Sequence, residues 1–505
     1  MSFDQNYRVL RVVARTPIVH PLPQQRDHDI RSLDSLYSTL PKNVQVLHDL
    51  AGPYYKSYGC VRSVDISIRK MDHKPVRLYE KNYHWKSTME HVSAIYDAIF
   101  SEVSAASNDE ILSRIDWSKS SGMPWVRLGM KKKLDCLNSS RFRLFMFDIQ
   151  RLIESRPVWK VADKVEWKHI TYLLAMKVRT FIIPPLHLLW YQLQLYMHQN
   201  AAMKHYHYSA YGFNPYQGGV DRMAQELLVN PTFFWYDVKG WDRLLPIMRD
   251  IYRIRNKWVP ARFDGLKTWV TDNTCESHIL VPGGQVLRKE IGNNSGSGST
   301  TNDNIIGHTL ILDYALLNFF DGDRKQVERV VARLFGDDDI GSVNITPDQY
   351  GFFESSIRKS FGDFGMELDP FCLSGTLEGA EFLGFKFHNH GGVWVPVYDE
   401  ERLLASFCYT FEKGNAGKSL TKAWTLTVMS STGRREVFDS MCLAISHYCD
   451  TLRNSVDTVV VSFREMGPPT YEECISFMTG RESSRVPNFF DYEFASWFAN
   501  RSEVV

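Results

Sequence analysis

The spacing of apolar residues changes several times along this chain, and each change predicts an element. VRSVDISIRK, from Val61, alternates apolar and polar positions and predicts a strand. STMEHVSAIYDAIFSEVSAA, from Ser87, repeats its apolar residues every three or four positions and predicts an amphipathic helix. SKSSGMPW, Ser118 to Trp125, is a loop by its Gly, Pro and Ser content. PTFFWYDVKGWD, ending at Asp242, reads as an apolar strand running into a turn at Gly240, with a helix to follow in DRLLPIMRDIYRIRNKW. GNNSGSGSTTNDN, from Gly292, is a Gly/Ser loop, and IIGHTLILDYALLNFF after it reads as a helix. VERVVARLFGDDDIGSVNI, from Val327, predicts strand, tight turn carrying three acids, strand. FFESSIRKSFGDFG, from Phe352, is a helix ended by Gly365, and EFLGFKFHNHGGVWVPV, from Glu381, is a hairpin turned at Gly391 and Gly392. The last hundred residues read as largely helical. The order strand, helix, helix, strand, strand, helix, hairpin describes an α+β domain.

Composition narrows this picture only in part. At 505 residues the chain is too long for a single hydrophobic core, and subdomains are expected. With 44% hydrophobic and 23% charged residues it has the make-up of a folded protein rather than a disordered one. The 59 basic and 58 acidic side chains nearly cancel, which argues neither for nor against nucleic acid, since a basic channel and an acidic site offset each other in the total. None of the eight cysteines forms a CxxC pair, which fits reduced, buried thiols in a cytosolic protein. No signal peptide is evident at the N-terminus. The most apolar windows, from Phe181 and from Ile311, are interrupted or too short, so no transmembrane span is expected.

The candidate chemistry lies in two acidic clusters about a hundred residues apart. Asp237 and Asp242 are spaced DxxxxD at a strand end, and Asp337, Asp338 and Asp339 sit between two apolar strands. Such placement gathers carboxylates at the end of a sheet, where divalent cations can supply the missing positive charge. Phosphoryl transfer uses two such ions roughly 3.5–4 Å apart, and Mg²⁺ or Mn²⁺ takes oxygen ligands. Asp237 and Asp337 are the first-choice ligands, with Asp338 a further one. A solvated acidic turn is the ordinary alternative for a lone DDD.

A hydroxyl-rich loop, Ser295 to Thr300, precedes a helix that carries Asn304 four residues beyond Thr300, on the same helix face. Asn can donate and accept, so Thr300, Asn304 and Asp242 form a candidate site for a ribose hydroxyl. An ordinary flexible loop with a helix cap is the alternative. Lys177 and Arg179 alternate onto one face of a strand-like stretch and are candidates for a triphosphate, with Lys164 and Lys168 upstream as candidates to line the same tunnel. Solvated charges on a strand are the alternative there, as they are for Lys131 to Lys133 against a template backbone.

Assembled, these residues resemble the motifs of viral RNA-dependent RNA polymerases, most closely those of small positive-strand viruses in the sobemovirus, astrovirus and nodavirus neighbourhood. The resemblance covers about Ser118 to Pro396. Motif A matches Asp237-Val-Lys-Gly-Trp-Asp242, motif B (SGxxxTxxxN) matches Ser295, Gly296, Thr300 and Asn304, and motif C matches Gly336-Asp337-Asp338. Lys177 and Arg179 suggest motif F, Ser120 and Gly122 the template-side motif G, and Glu381–Phe385 motif E. The resemblance implies a right hand with an antiparallel palm sheet flanked by helices and an encircled active site. Its expected parts are an N-terminal extension and fingers over 1–230, palm over 231–260, a fingers insertion over 261–288, palm again over 289–400 and a thumb over 401–505. It implies template contacts at Ser120, Gly122 and Gly296, and ribose recognition by Asp242, Ser295, Thr300 and Asn304.

Motif D departs from the family pattern. The family places a lysine there as general acid for pyrophosphate, and FGMELDPFCLSGTLEGAEF has none; the counted position holds Leu373. Lys359, His388 or water are the alternatives. The implied partners are an RNA template and nascent strand, NTPs and other viral replicase proteins, with a protein primer left open beside primed and de novo initiation. The implied location is host cytoplasm, with peripheral attachment to replication membranes also open. Two rivals stand beside this reading: a reverse transcriptase, which Phe335-Gly336-Asp337-Asp338 fits loosely, and a non-catalytic RNA-binding replication protein.

Overall fold

The computed structural model describes residues 7–16, 54–57, 61–164, 166–169, 171, 178–408, 416–452, 460–461, 464–465 and 467–481. The fold is α+β, with four sheets among the described residues. A five-stranded mixed sheet has the order β1-β8-β7-β3-β5, built from β1 (Arg11–Arg15), β3 (Val158–Lys164), β5 (Arg179–Ile183), β7 (Ser277–Leu280) and β8 (Gln285–Lys289). Within it β3 and β7 are parallel and the other pairs antiparallel. Strands β2 (Tyr54–Ser57) and β4 (Glu166–His169) pair separately.

The sheet that matters most is antiparallel, order β11-β6-β10-β9, from β6 (Thr232–Val238), β9 (Val331–Phe335), β10 (Asp338–Val343) and β11 (Leu368–Ser374). One face is covered by the helices Thr300–Phe319 and Tyr350–Gly362, whose side chains share a core with Phe234, Tyr236 and Leu334. The helix Thr300–Phe319 is buried on nearly every face along almost its whole length, polar side chains included, as befits a helix at the centre of a large domain. A smaller core joins this sheet to the meander β12 (Glu381–Phe382), β13 (Phe385–His390) and β14 (Val393–Tyr398) through Phe233, Ile340, Phe382 and Phe387. The C-terminal helices Glu400–Cys408, Ala416–Ser430, Arg435–Thr451 and Tyr471–Thr479 pack round Leu404, Trp424, Met441 and Phe477 in a core of their own.

Most predicted elements are present, and three differ. The segment from Val61 is a helix, Val61–Arg69, not a strand. Its buried residues Val64, Ser67 and Ile68 follow a spacing of three and four, and the small serines Ser63 and Ser67 fill the polar places of an apparent alternation. The single helix expected after Asp242 is two, Trp241–Leu244 and Met248–Asn256, because Pro246 cannot continue the first. Of the three acids assigned to one turn, Asp338 and Asp339 already belong to β10. The hairpin at Gly391 and Gly392 is as expected, both glycines having positive φ (60° and 90°). The seven described cysteines are free thiols. No helix among the described residues is long and apolar enough to cross a membrane.

Candidate active site

Strand β6 carries aromatic residues into the cores on both faces, with Phe233, Phe234 and Tyr236 buried, and leaves Asp237 exposed near its end. The chain then turns at Gly240, whose φ of 69° suits glycine, and starts the short helix that holds Asp242. Strands β9 and β10 are joined by the two-residue turn Gly336-Asp337, with Phe335 opposite Asp338 and Gly336 at φ 69°. Between β6 and β10, Gly341 faces Phe234 and Ser342 faces Phe233. Continued to the strand ends, this register sets Asp339 opposite Tyr236 and Asp338 opposite Asp237. The first and second acidic clusters therefore meet across neighbouring strands, with Asp337 at the adjoining tip.

The three consecutive acids have different surroundings because side chains alternate along a strand. Asp339 turns under the sheet, is buried, and accepts the backbone N–H of Tyr236 at 2.9 Å through Oδ1. It ties the two strands together where their ladder opens, and burial raises its pKa well above the usual carboxylate range. Asp337 is reached by solvent yet has protein round most of it. Burial first, then repulsion from Asp242, Asp338 and Asp237, pushes its pKa up to about 7. Asp338 is pushed up to about 6 by burial, Asp237 and Glu381, against the pull of Arg402. Carboxylates that raise one another's pKa are thus gathered at this strand end. Among the described residues no group of three or more acid, histidine or cysteine side chains is arranged so that it alone could hold a metal ion. The donor set is carboxylate oxygen throughout, which suits an ion that takes its remaining ligands from water and substrate phosphate.

Beside the acids lies an amide relay. Asn304 donates through Nδ2 to Asp242 Oδ1 at 2.9 Å and accepts from Asn293 Nδ2 at 2.9 Å. Thr300 points elsewhere: its hydroxyl donates to the carbonyls of Asn294 and Ser297 at 2.9 and 3.0 Å and so closes the Gly/Ser loop. Ser295 is exposed. Burial raises the pKa of Asp242, opposed by Asn304 and by the charges of Lys289, Arg179 and Arg243.

Three of the candidate segments meet at residues 182–185. The N–H of Gly296 donates to the Ile182 carbonyl at 3.1 Å, and a Cβ on Gly296 would lie 2.3 Å from that oxygen. From the other side a Cβ on Gly122 would lie 2.6 Å from the Pro184 carbonyl, while Ser120 Oγ accepts the Gly122 N–H at 3.3 Å. Both positions require glycine because backbone packs on backbone. Arg179 opens the same segment as the first residue of β5, and its charge acts on Asp242. Lys177 lies outside the described residues. Lys164 pairs with Arg179 across β3 and β5, and Lys168 lies on β4 opposite Tyr55. Lys132 forms an isolated bridge with Ser120, which sets the lysine run beside the Ser120–Gly122 loop.

Lys359 is exposed in the last turn of the helix Tyr350–Gly362 and is not among the charges acting on Asp337 or Asp338. His388 is held by Glu378 at 2.7 Å on the β13 strand, and Leu373 lies in β11 opposite Phe234. Glu381, in the Glu381–Phe385 turn, is close enough to Asp338 to raise its pKa. Sequence reasoning passed over several residues of this site. Lys289 is buried and donates to Asn294 Oδ1 at 2.8 Å; burial pushes its pKa down to about 7. Arg243 follows Asp242 directly, and its guanidinium feels both Asp242 and Arg179. His308, the lone basic residue in an apolar helix, was the one sequence signal available for the layer beneath the sheet.

Residues 63–451 match the family model of the viral RNA-dependent RNA polymerase. Non-structural polyprotein 1AB of Human astrovirus-4 is 31% identical over 227 residues, covering 41% of this chain and 15% of that polyprotein. The genome polyprotein of Peanut mottle virus (strain M) is 24% identical over 201 residues, 38% of this chain and 6% of its own length. That of Brome streak virus (strain German) is 24% identical over 263 residues, 49% and 27% respectively. The chain thus spans less than a third of each of these relatives. With the family model covering most of its length, the chain belongs to the viral RNA-dependent RNA polymerases.

Proposed function

We propose that this chain copies an RNA template by transferring nucleotides from NTPs to an RNA 3′-hydroxyl at the end of the β6–β10 pair. The observation that carries this reading is the meeting of Asp237 with Asp338 across the two strands, with Asp337 at the turn beside them. Asp237, Asp337 and Asp338 are the residues that would hold two Mg²⁺ or Mn²⁺ ions, whose chemistry is to favour the attacking 3′-oxygen and offset charge on the pyrophosphate. The raised pKa values of Asp337 and Asp338 support this, since burial and mutual repulsion among the acids are what a bound cation would relieve.

The chain's own groups do the positioning. Asn304, fixed by Asn293 on one side and Asp242 on the other, offers a rigid polar edge for the ribose hydroxyls. Arg179, with Lys177, binds the triphosphate. Ser120, Gly122 and Gly296 line the template path, where the two glycines pack their loops against the backbone of residues 182–185. Catalysis comes from orientation and charge stabilisation. Lys359 is not among the charges acting on Asp337 or Asp338, and leaving-group protonation is assigned to water.

In this reading the β11-β6-β10-β9 sheet is the palm (231–260 and 289–400), residues 1–230 and 261–288 form the fingers and N-terminal extension, and 401–505 the thumb, together encircling the site. The separate core of the C-terminal helices supports the last boundary. Other replicase proteins act with it in the host cytoplasm, at or near replication membranes, and initiation uses an RNA primer, a protein primer or neither.

The test is labelled-nucleotide incorporation on primed and unprimed RNA with Mg²⁺ or Mn²⁺, offering NTPs and dNTPs to wild type, Asp337→Ala and Asn304→Ala. Ribonucleotide extension by wild type and none by Asp337→Ala is expected. Asn304→Ala should lose about tenfold to hundredfold of the preference for NTP over dNTP, the worth of a hydrogen bond near a charged group. Extension with dNTPs alone would favour a reverse transcriptase, and RNA binding without synthesis a non-catalytic protein.

A further inference from the structure

Beneath the acids, His308 joins three segments that are far apart in sequence. Its Nδ1 lies 3.1 Å from the carbonyl oxygen of Gly336, in the turn that presents Asp337. Its Nε2 lies 2.9 Å from the hydroxyl of Tyr236, one residue before Asp237. The indole of Trp241, next to Asp242, covers the imidazole at a centroid distance of 4.7 Å, and Phe361 meets it edge-on at 6.1 Å. The ring is fully buried.

These contacts fix the tautomer. A carbonyl oxygen can only accept, so Nδ1 carries the proton and donates to Gly336. Burial holds the ring neutral, so Nε2 accepts from the Tyr236 hydroxyl. His308 is also four residues beyond Asn304 in the same helix, and the two share a face. One helix face therefore holds Asp242 at one point and the Gly336 carbonyl at the next.

We propose that His308 is a positioning residue for catalysis: by holding the Gly336 carbonyl and the Tyr236 hydroxyl together, it sets the separation of Asp237 from Asp337. The turn between β9 and β10 places a buried glycine, the residue with the fewest steric limits on its backbone, just before the acid that must hold its place. A fixed donor beneath that glycine removes the freedom of the peptide unit on which Asp337 turns. Small displacements of reacting groups cost large factors in rate. This proposal rests on the RNA-synthesis reading above.

The test compares His308→Phe, His308→Asn, His308→Gln and Tyr236→Phe with wild type in single-nucleotide extension. Readouts are kcat, KM for NTP, RNA Kd, the Mg²⁺ concentration for half-maximal rate, and Tm. The shorter Asn amide can reproduce the Nδ1 donor, whereas the Gln amide reaches toward the Nε2 side. His308→Phe is expected to lower kcat about tenfold to hundredfold and to raise the Mg²⁺ requirement, with KM and RNA Kd near wild type. His308→Asn should recover part of the rate and exceed His308→Gln, and Tyr236→Phe should fall between wild type and His308→Phe. Wild-type kcat and Mg²⁺ dependence in His308→Phe would overturn the proposal while leaving the polymerase reading intact. Should His308→Phe not fold, the order of the Asn and Gln variants decides, and Gln equal to or above Asn would overturn it. Inactivity of the wild type itself would count against the polymerase reading instead.

Discussion

Asp337, Asp338 and Asp339 are identical in type and consecutive, yet their surroundings divide them. Asp339 carries a structural bond to Tyr236, and the other two face the first acidic cluster. The division has a measurable consequence. Folding raises the pKa of Asp337 to about 7 and of Asp338 to about 6, above their ordinary value of 3.8. A carboxyl raised in this way is protonated more readily in the folded state than in the unfolded one. It favours folding at low pH, and that contribution is lost as pH rises from about 4 through about 7. In chelator, thermal unfolding is therefore expected to show a larger penalty at pH 8 than near pH 5, where part of the contribution remains, and added Mg²⁺ should raise Tm more at pH 8. An equal Mg²⁺ effect at both pH values would contradict this. In Asp337→Asn the pH dependence of the Mg²⁺ effect should shrink.

At the scale of elements, the segments recognised by motif are held together by backbone contact. Gly296 packs on Ile182 and Gly122 on Pro184, so the Gly/Ser loop and the Ser120–Gly122 loop clasp the segment that Arg179 begins. Gly296→Ala would force a Cβ to 2.3 Å from a carbonyl that also accepts the Gly296 N–H. A cost of about 1–3 kcal/mol in denaturant stability is expected from such overpacking, along with weaker template use; unchanged stability and activity would show that the loop gives way freely.

The same scale shows what the sequence could and could not convey. The strand bearing Asp237 and the strand leading into the Gly336-Asp337 turn were legible because each has an apolar run ending at a turn residue. The helix Val61–Arg69 was misread because two buried serines imitate the polar places of a strand. The shared face of Thr300 and Asn304 was legible from their spacing, but not the turning of the Thr300 hydroxyl into its own loop, which depends on the carbonyls that the loop presents. His308, Lys289 and Arg243 could not be assigned from pattern, since their partners are brought together only by the tertiary fold.

Over the whole molecule, near-neutral net charge conceals a local separation of sign. Acids gather at the β6–β10 end, while Arg179, Arg243 and Lys289 act on the adjoining Asp242. Such a site suits a substrate that brings anionic phosphates together with divalent cations. The large core around the helix Thr300–Phe319 supports this site from below, and a separate core organises the C-terminal helices. The central claim is that the acids serve synthesis directed by a template. It is tested most directly by single-nucleotide extension on four primed RNAs that differ only in the first templating base, each offered the four NTPs singly, with Asp337→Ala and chelator as controls. The account predicts that only the complementary ribonucleotide is added on each template, and that addition fails in both controls. Addition regardless of the templating base, or addition that persists in Asp337→Ala, would contradict it.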